Sequence, residues 1–142
     1  LVQILSYAVK YASNFYGPFR DAVGSKKSLI GDKKNYQMDF RNSKESLREV
    51  AMDINEGADI IMVKPALPYI DLINNIKKKF NIPIFAYQVS GEFSMLKLAE
   101  KEKIIDYKEC LYESLTSIKR SGASGIFCYG AIDISKYIKK DE

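Results

Sequence analysis

Short runs of β-branched and aromatic residues alternate along the chain with stretches whose apolar positions recur every three or four residues. The strand-like runs are Val2 to Ser6, Ile60 to Lys64, Ile82 to Val89 and Gly125 to Tyr129. Ile60, Ile61, Met62 and Val63 are apolar without a break, which predicts a strand covered on both faces, as in a parallel sheet. Ser43 reads as the N-cap of a helix over Lys44 to Asn55 that presents Leu47, Val50, Ala51 and Ile54 on one side and closes at Gly57. Pro68 to Asp71 opens a second helix with Ile70, Ile73 and Ile76 inward and an end near Asn81 and Pro83. A third begins near Phe93 and carries Met95, Leu96 and Leu98. A fourth covers Tyr107 to Arg120, turns Cys110, Leu111, Leu115 and Ile118 inward and stops at Gly122.

The predicted order is strand, long excursion, helix, strand, helix, strand, helix, strand, tail, which is the pattern of an α/β protein with a parallel sheet. A complete (β/α)8 barrel takes about 250 residues, so four βα units are about half of one. The excursion, residues 14–41, is too long for an ordinary βα connection and is rich in Gly, Ser, Lys and Tyr. It predicts a lid over the carboxyl ends of the strands, with a solvated surface loop as the plainer alternative. The chain opens at Leu1 inside a strand-like run, without Met, so we expect a longer protein that carries any targeting segment upstream.

Composition narrows the chemistry. With 142 residues, 46% hydrophobic and 28% charged, the chain suits a single globular domain. No apolar run approaches the roughly 18 residues of a membrane span, so no membrane partner is expected. The net charge of +4 comes from 22 basic and 18 acidic residues spread along the chain, most of the basic ones Lys, which argues against a nucleic-acid partner. There is no His, and the only cysteines are Cys110 and Cys128, so this chain cannot assemble a four-ligand zinc site or a Ser-His-Asp or Cys-His pair by itself. Two cysteines fit a reducing compartment. Chemistry must fall to Lys, Tyr, Ser, Asp or Glu.

Parallel-strand enzymes place their working groups at the carboxyl ends of the strands. Reading those ends gives Lys10 just beyond the first strand, Lys64 at the second, Tyr87 and Ser90 at the third, and Tyr129 at the fourth. Strand alternation puts Lys64 on the same side as Ile60 and Met62, toward a barrel axis. Partial desolvation there disfavours the ammonium and lowers the pKa toward the range where a free amine attacks a carbonyl.

The run Gly57-Ala58-Asp59-Ile60-Ile61-Met62-Val63-Lys64-Pro65-Ala66-Leu67-Pro68-Tyr69 resembles the active-site signature of the porphobilinogen synthase (5-aminolevulinate dehydratase) family. Flanking motifs resemble that family in the same order: Ser6 to Ser13, Phe15-Tyr16-Gly17-Pro18-Phe19-Arg20, Gly31-Asp32-Lys33-Lys34 with Tyr36-Gln37, Tyr87-Gln88-Val89-Ser90-Gly91-Glu92, and the Gly125 to Tyr129 strand. The resemblance implies a lyase of tetrapyrrole biosynthesis that condenses two molecules of 5-aminolevulinate into porphobilinogen with loss of water. It implies a TIM (β/α)8 barrel of which residues 1–142 are the C-terminal half of a single catalytic domain, the lid lying around 14–41.

By the same resemblance, Lys64 forms a Schiff base with the substrate that supplies the propionate side of the product, and Lys10 holds the second substrate. An iminium is an electron sink that acidifies the neighbouring carbon and activates the carbonyl carbon. Ser90 and Tyr129 match residues that bind the carboxylate of the substrate on Lys64. Arg20, Lys33 and Gln37 match residues that face the other carboxylate, and Tyr87 packs beside bound substrate. Lys33 stands where many members have Arg, and a Lys makes no bidentate fork. Glu49, beside Arg48, matches the place where some members bind an activating magnesium through waters. Any zinc-binding cysteines would lie upstream, and a homo-octamer in cytoplasm or plastid is the family-level expectation.

Two other readings are a class I aldolase-like Schiff-base lyase, which needs only one lysine, and a non-catalytic basic surface for RNA or anionic partners, which would show salt-dependent binding and no trapped imine.

Overall fold

The computed structural model describes residues 2–22 and 37–139. Its core is a parallel sheet in which the strands follow one another in chain order: β1 (Leu5–Lys10), β2 (Ile60–Lys64), β3 (Ile84–Tyr87) and β4 (Gly125–Phe127). Six α-helices are described: α1 (Gly17–Ala22), α2 (Lys44–Asn55), α3 (Ile70–Lys79), α4 (Ser90–Lys101), α5 (Tyr107–Arg120) and α6 (Ala131–Ile138). Sequential parallel order with helical crossovers is the arrangement of a βα barrel wall. None of the described helices is long and apolar enough to cross a membrane.

The two faces of the sheet are chemically different. Ile61, Val63, Ile84, Ala86 and Val9 point into the helix layer, where Val50 of α2, Leu72, Ile73 and Ile76 of α3 and Ile118 of α5 meet them. Full burial of each large aliphatic side chain in this layer contributes about 1.5–3 kcal/mol. Met62, on the opposite face, is also fully buried, so β2 is covered on both sides as its unbroken apolar run predicts. A second cluster of Tyr107, Leu111 and Ile134, with Phe93 and Leu96 against it, docks α6.

Several expectations need correction. β1 lies later than Val2 to Ser6, because pairing with β2 starts at Leu5; Val2 is 93% exposed. Ser43 sits in helical geometry and makes no side-chain cap. The cap is one residue earlier: Asn42 Oδ1 accepts the amides of Lys44 (3.1 Å) and Glu45 (3.3 Å). Ile70 is exposed and Leu72 takes its inward place, because a 3-10 turn over Leu67–Tyr69 precedes α3 and rotates its first residues. The helix expected near Phe93 starts at Ser90, and its Met95 and Leu98 face outward. The tail is helical in α6. The ends of α2 and α5 fall where predicted, with Gly57 at φ 103° closing α2 in a conformation open chiefly to glycine. Residues 23–36 of the lid expected around 14–41, and with them Lys33, lie outside the described residues; the described parts are a 3-10 turn over Asn14–Tyr16, then α1, and a stretch in which Met38 forms a parallel bridge with Tyr11.

Candidate active site

Lys10 and Lys64 end adjacent strands and are direct cross-strand partners. Their common face depends on an irregularity. Leu5 and Ser6 oppose Ile60 and Ile61, yet Val9 and Lys10 oppose Val63 and Lys64, so Tyr7 and Ala8 together oppose Met62. Such a bulge re-aims every side chain beyond it. In a regular strand Lys10 would point with Ser6 and Ala8 toward α2; the extra residue returns it to the face of Lys64.

Around the Lys64 ammonium stand three tyrosine rings, with centroids 4.1 Å (Tyr87), 5.6 Å (Tyr7) and 5.6 Å (Tyr16) from Nζ. The amine is half-buried, and burial, followed by the neighbouring Lys10 charge, holds its pKa below the ordinary lysine value. Ring faces attract the cation and oppose this in part. The backbone under the amine is fixed as well: the Lys64 carbonyl accepts the Tyr11 amide at 3.1 Å and the Tyr16 hydroxyl at 3.1 Å. Burial raises the Tyr16 phenol far above its usual range, so it stays a donor.

The remaining predicted residues divide. Tyr87 stacks on Phe127 at 5.8 Å and lies 6.4 Å from Tyr129, which is itself half-exposed. Burial and the neighbouring Tyr129 raise the Tyr87 phenol, leaving it neutral. Ser90, nearly buried at the start of α4, accepts the Phe19 amide at 3.1 Å and keeps its own hydroxyl hydrogen for another acceptor. The Arg20 guanidinium lies 5.3 Å from the centroid of the Tyr16 ring, the ring that also neighbours the Lys64 ammonium. Gln37 lies apart from Ser90 and Tyr129, on the Lys10 side, where it lines a cavity of about 380 Å³ with Tyr7, Lys10, Glu45, Glu49 and Asp53. Its Oε1 is buried and has no hydrogen-bond partner among the described residues. The site therefore has a Lys64 half with Ser90 and Tyr129 and a Lys10 half with Gln37. Sequence reasoning missed Tyr7 and Tyr16 as neighbours of the amine. Tyr7 has strand parity with Leu5, a usable signal, but nothing in the sequence places the 3-10 turn of Tyr16.

Glu49 pairs with Arg48 at 3.3 Å. Among the described residues no group of three or more His, Cys, Asp or Glu side chains forms a metal site. Cys110 and Cys128 are free thiols, and burial pushes the Cys128 thiol up, as suits packing rather than ligation.

A family model described as delta-aminolevulinic acid dehydratase matches residues 1–137. The chain belongs to this family. Delta-aminolevulinic acid dehydratases of Bradyrhizobium diazoefficiens (55% identity over 130 residues, 92% of this chain and 37% of that protein) and Bacillus subtilis (50% over 137 residues, 96% and 42%) are among its relatives. The crystal structure of the Toxoplasma gondii ME49 dehydratase, in complex with its reaction product porphobilinogen, superposes with a TM-score of 0.94 at 47% identity, covering 99% of this chain and 40% of that one. The chain thus spans about two fifths of the length of these relatives. Its four parallel strands are part of a TIM barrel. Members of the delta-aminolevulinic acid dehydratase family are metal-dependent in general.

Proposed function

We propose that the protein containing this chain is a porphobilinogen synthase that condenses two 5-aminolevulinate molecules with net loss of two waters, and that this chain is the C-terminal half of its single barrel domain. The observation that carries the reading is the pair Lys10 and Lys64 on adjacent strand ends, one of them half-buried with its pKa lowered. A second ammonium nearby disfavours protonation of Lys64, so its amine is the first to attack a substrate ketone, losing water to give an iminium. Lys10 then holds the second substrate. Ser90 and Tyr129 take the carboxylate on the Lys64 side and Gln37 serves the other, which the family resemblance also assigns to Arg20 and Lys33. A class I aldolase would need only one of the lysines.

Glu49 offers one carboxylate, already paired with Arg48. A water-clad magnesium there would need oxygen ligands from elsewhere, as at a subunit contact, and no step depends on it. We further propose a homo-octamer in a reducing compartment, cytoplasm or plastid, which the two free thiols support.

Borohydride trapping on the full-length protein tests the reading. With 5-aminolevulinate, wild type should carry substrate on the Lys64 peptide. Lys64→Arg should lose trapping there and all measurable turnover, because a guanidinium forms no stable imine, whereas Lys10→Arg should lose turnover but still trap at Lys64. Near-normal porphobilinogen production by Lys64→Arg refutes it.

A further inference from the structure

Glu92 is 1% exposed and has no role in the chemistry above. It lies in the first turn of α4, and its carboxylate reaches two separate segments of backbone. Oε2 accepts the Val89 amide at 2.6 Å and the Ala66 amide at 3.4 Å, and Oε1 accepts the Leu67 amide at 2.8 Å. Ala66 and Leu67 follow Lys64 by two and three residues, and Val89 lies between Tyr87 and Ser90. Burying a carboxylate without a cationic partner is costly, and burial does raise its pKa, with the three amide bonds pulling the other way. An apolar residue in its place would take the acceptor from three backbone amides, so the carboxylate is what ties the two segments together. The anchoring is local to the site: Tyr16 grips the Lys64 carbonyl from one side, and Glu92 grips the amides just beyond it.

We propose that Glu92 is a positioning residue that fixes the Lys64 amine against the Tyr87 ring by tying the segment after β2 to the segment after β3. This inference rests on the Schiff-base reading above. Its action is on aim rather than on substrate affinity, and misplacement of a reacting group by about 1 Å can cost on the order of a hundredfold in rate.

The test compares wild type, Glu92→Gln, Glu92→Ala and, as a control for general core loosening, Ile118→Val, all in the full-length protein. Glu92→Gln keeps the size but turns a donor toward an amide hydrogen. The expected result is a fall of about a hundredfold in kcat and in the borohydride-trapping rate at Lys64, with KM little changed. The half-maximal pH for trapping should also move upward, because an amine released from its desolvated seat regains a more ordinary pKa. Ile118→Val should move neither rate nor profile. A folded Glu92→Gln that traps at the wild-type rate overturns the proposal. Failure of both Glu92 variants to fold also overturns it, since that would make the residue a fold determinant. Absence of trapping at Lys64 in the wild type would instead sink the functional reading, and this inference with it.

Discussion

β1 and β2 end in lysines at the same level of the sheet, but they reach that level differently. β2 lies between two neighbours, is covered on both faces and runs without interruption from Ile60 to Lys64. Its alternation alone orients Lys64. β1 bonds Ser6 to Asp53 of α2 and spends an extra residue before Val9. An uninterrupted strand packed on both faces keeps simple alternation, whereas the extra residue in β1 re-aims the side chains that follow it. The paired amines are therefore a product of register as much as of residue type.

The largest effect should come from changing that parity in the full-length protein. Deleting Ala8 alone would leave Tyr7 opposite Met62 and Lys10 opposite Lys64, a regular ladder with both lysines on one face. Turnover should stay within about tenfold of wild type, a loss of roughly 1.4 kcal/mol in transition-state stabilisation. Deleting Tyr7 and Ala8 together shifts the parity by one residue, so either Lys10 turns toward α2 or Ser6 and Leu5 exchange faces. Turnover should fall below detection. Equal damage from both deletions would show that the shared face does not depend on the bulge.

The same contrast explains what the sequence discloses. The boundaries of α2, α5 and β2 follow from apolar spacing and an unbroken apolar run, both local signals. Lys64 was legible because its strand obeys simple alternation and its motif resembles a family signature. The bulge was not, since Leu5-Ser6-Tyr7-Ala8-Val9-Lys10 carries no mark of an extra residue and its register is set by the partner strand. Asn42 displaced Ser43 as cap for a similar reason: both are good caps, and the entry angle of the chain decides between them. The tyrosine cage joins Tyr7, Tyr16 and Tyr87 from three separate segments, a tertiary fact with no local signature.

A moderate effect should fall on the Lys64 side alone. A Cβ at Gly91 would lie 2.4 Å from the Phe15 carbonyl oxygen and 2.8 Å from Phe15 Cα, so Gly91→Ala must push α4 away from the Asn14–Tyr16 turn. Overpacking of this kind costs about 1–3 kcal/mol. A lowered Tm should accompany weaker binding on the Ser90 and Tyr16 side, while contacts around Lys10 and Gln37 keep their wild-type hydrogen exchange. Equal loss of protection along β1 would show that the two halves of the site are one mechanical unit.

The smallest effect concerns stability and pH. Lys64 has a folded-state pKa below its unfolded value, because burial and Lys10 disfavour its charge. Between those two values the native state binds fewer protons than the unfolded chain, so stability rises with pH across that window. Below it both states are charged and the full cost of seating the cation is present; above it both are neutral and the cost is gone. Lys64→Met removes the titrating group while keeping the length of the side chain. It should therefore raise Tm by a few degrees near neutral pH, and the gain should shrink as pH climbs toward the ordinary lysine range. Tyr87, Tyr7 and Tyr16 oppose the trend by attracting the cation, which keeps the expected gain small. Thermal melts of wild type and variant at several pH values decide it: a gain that grows with pH would mean that the rings outweigh burial and that the amine is held charged.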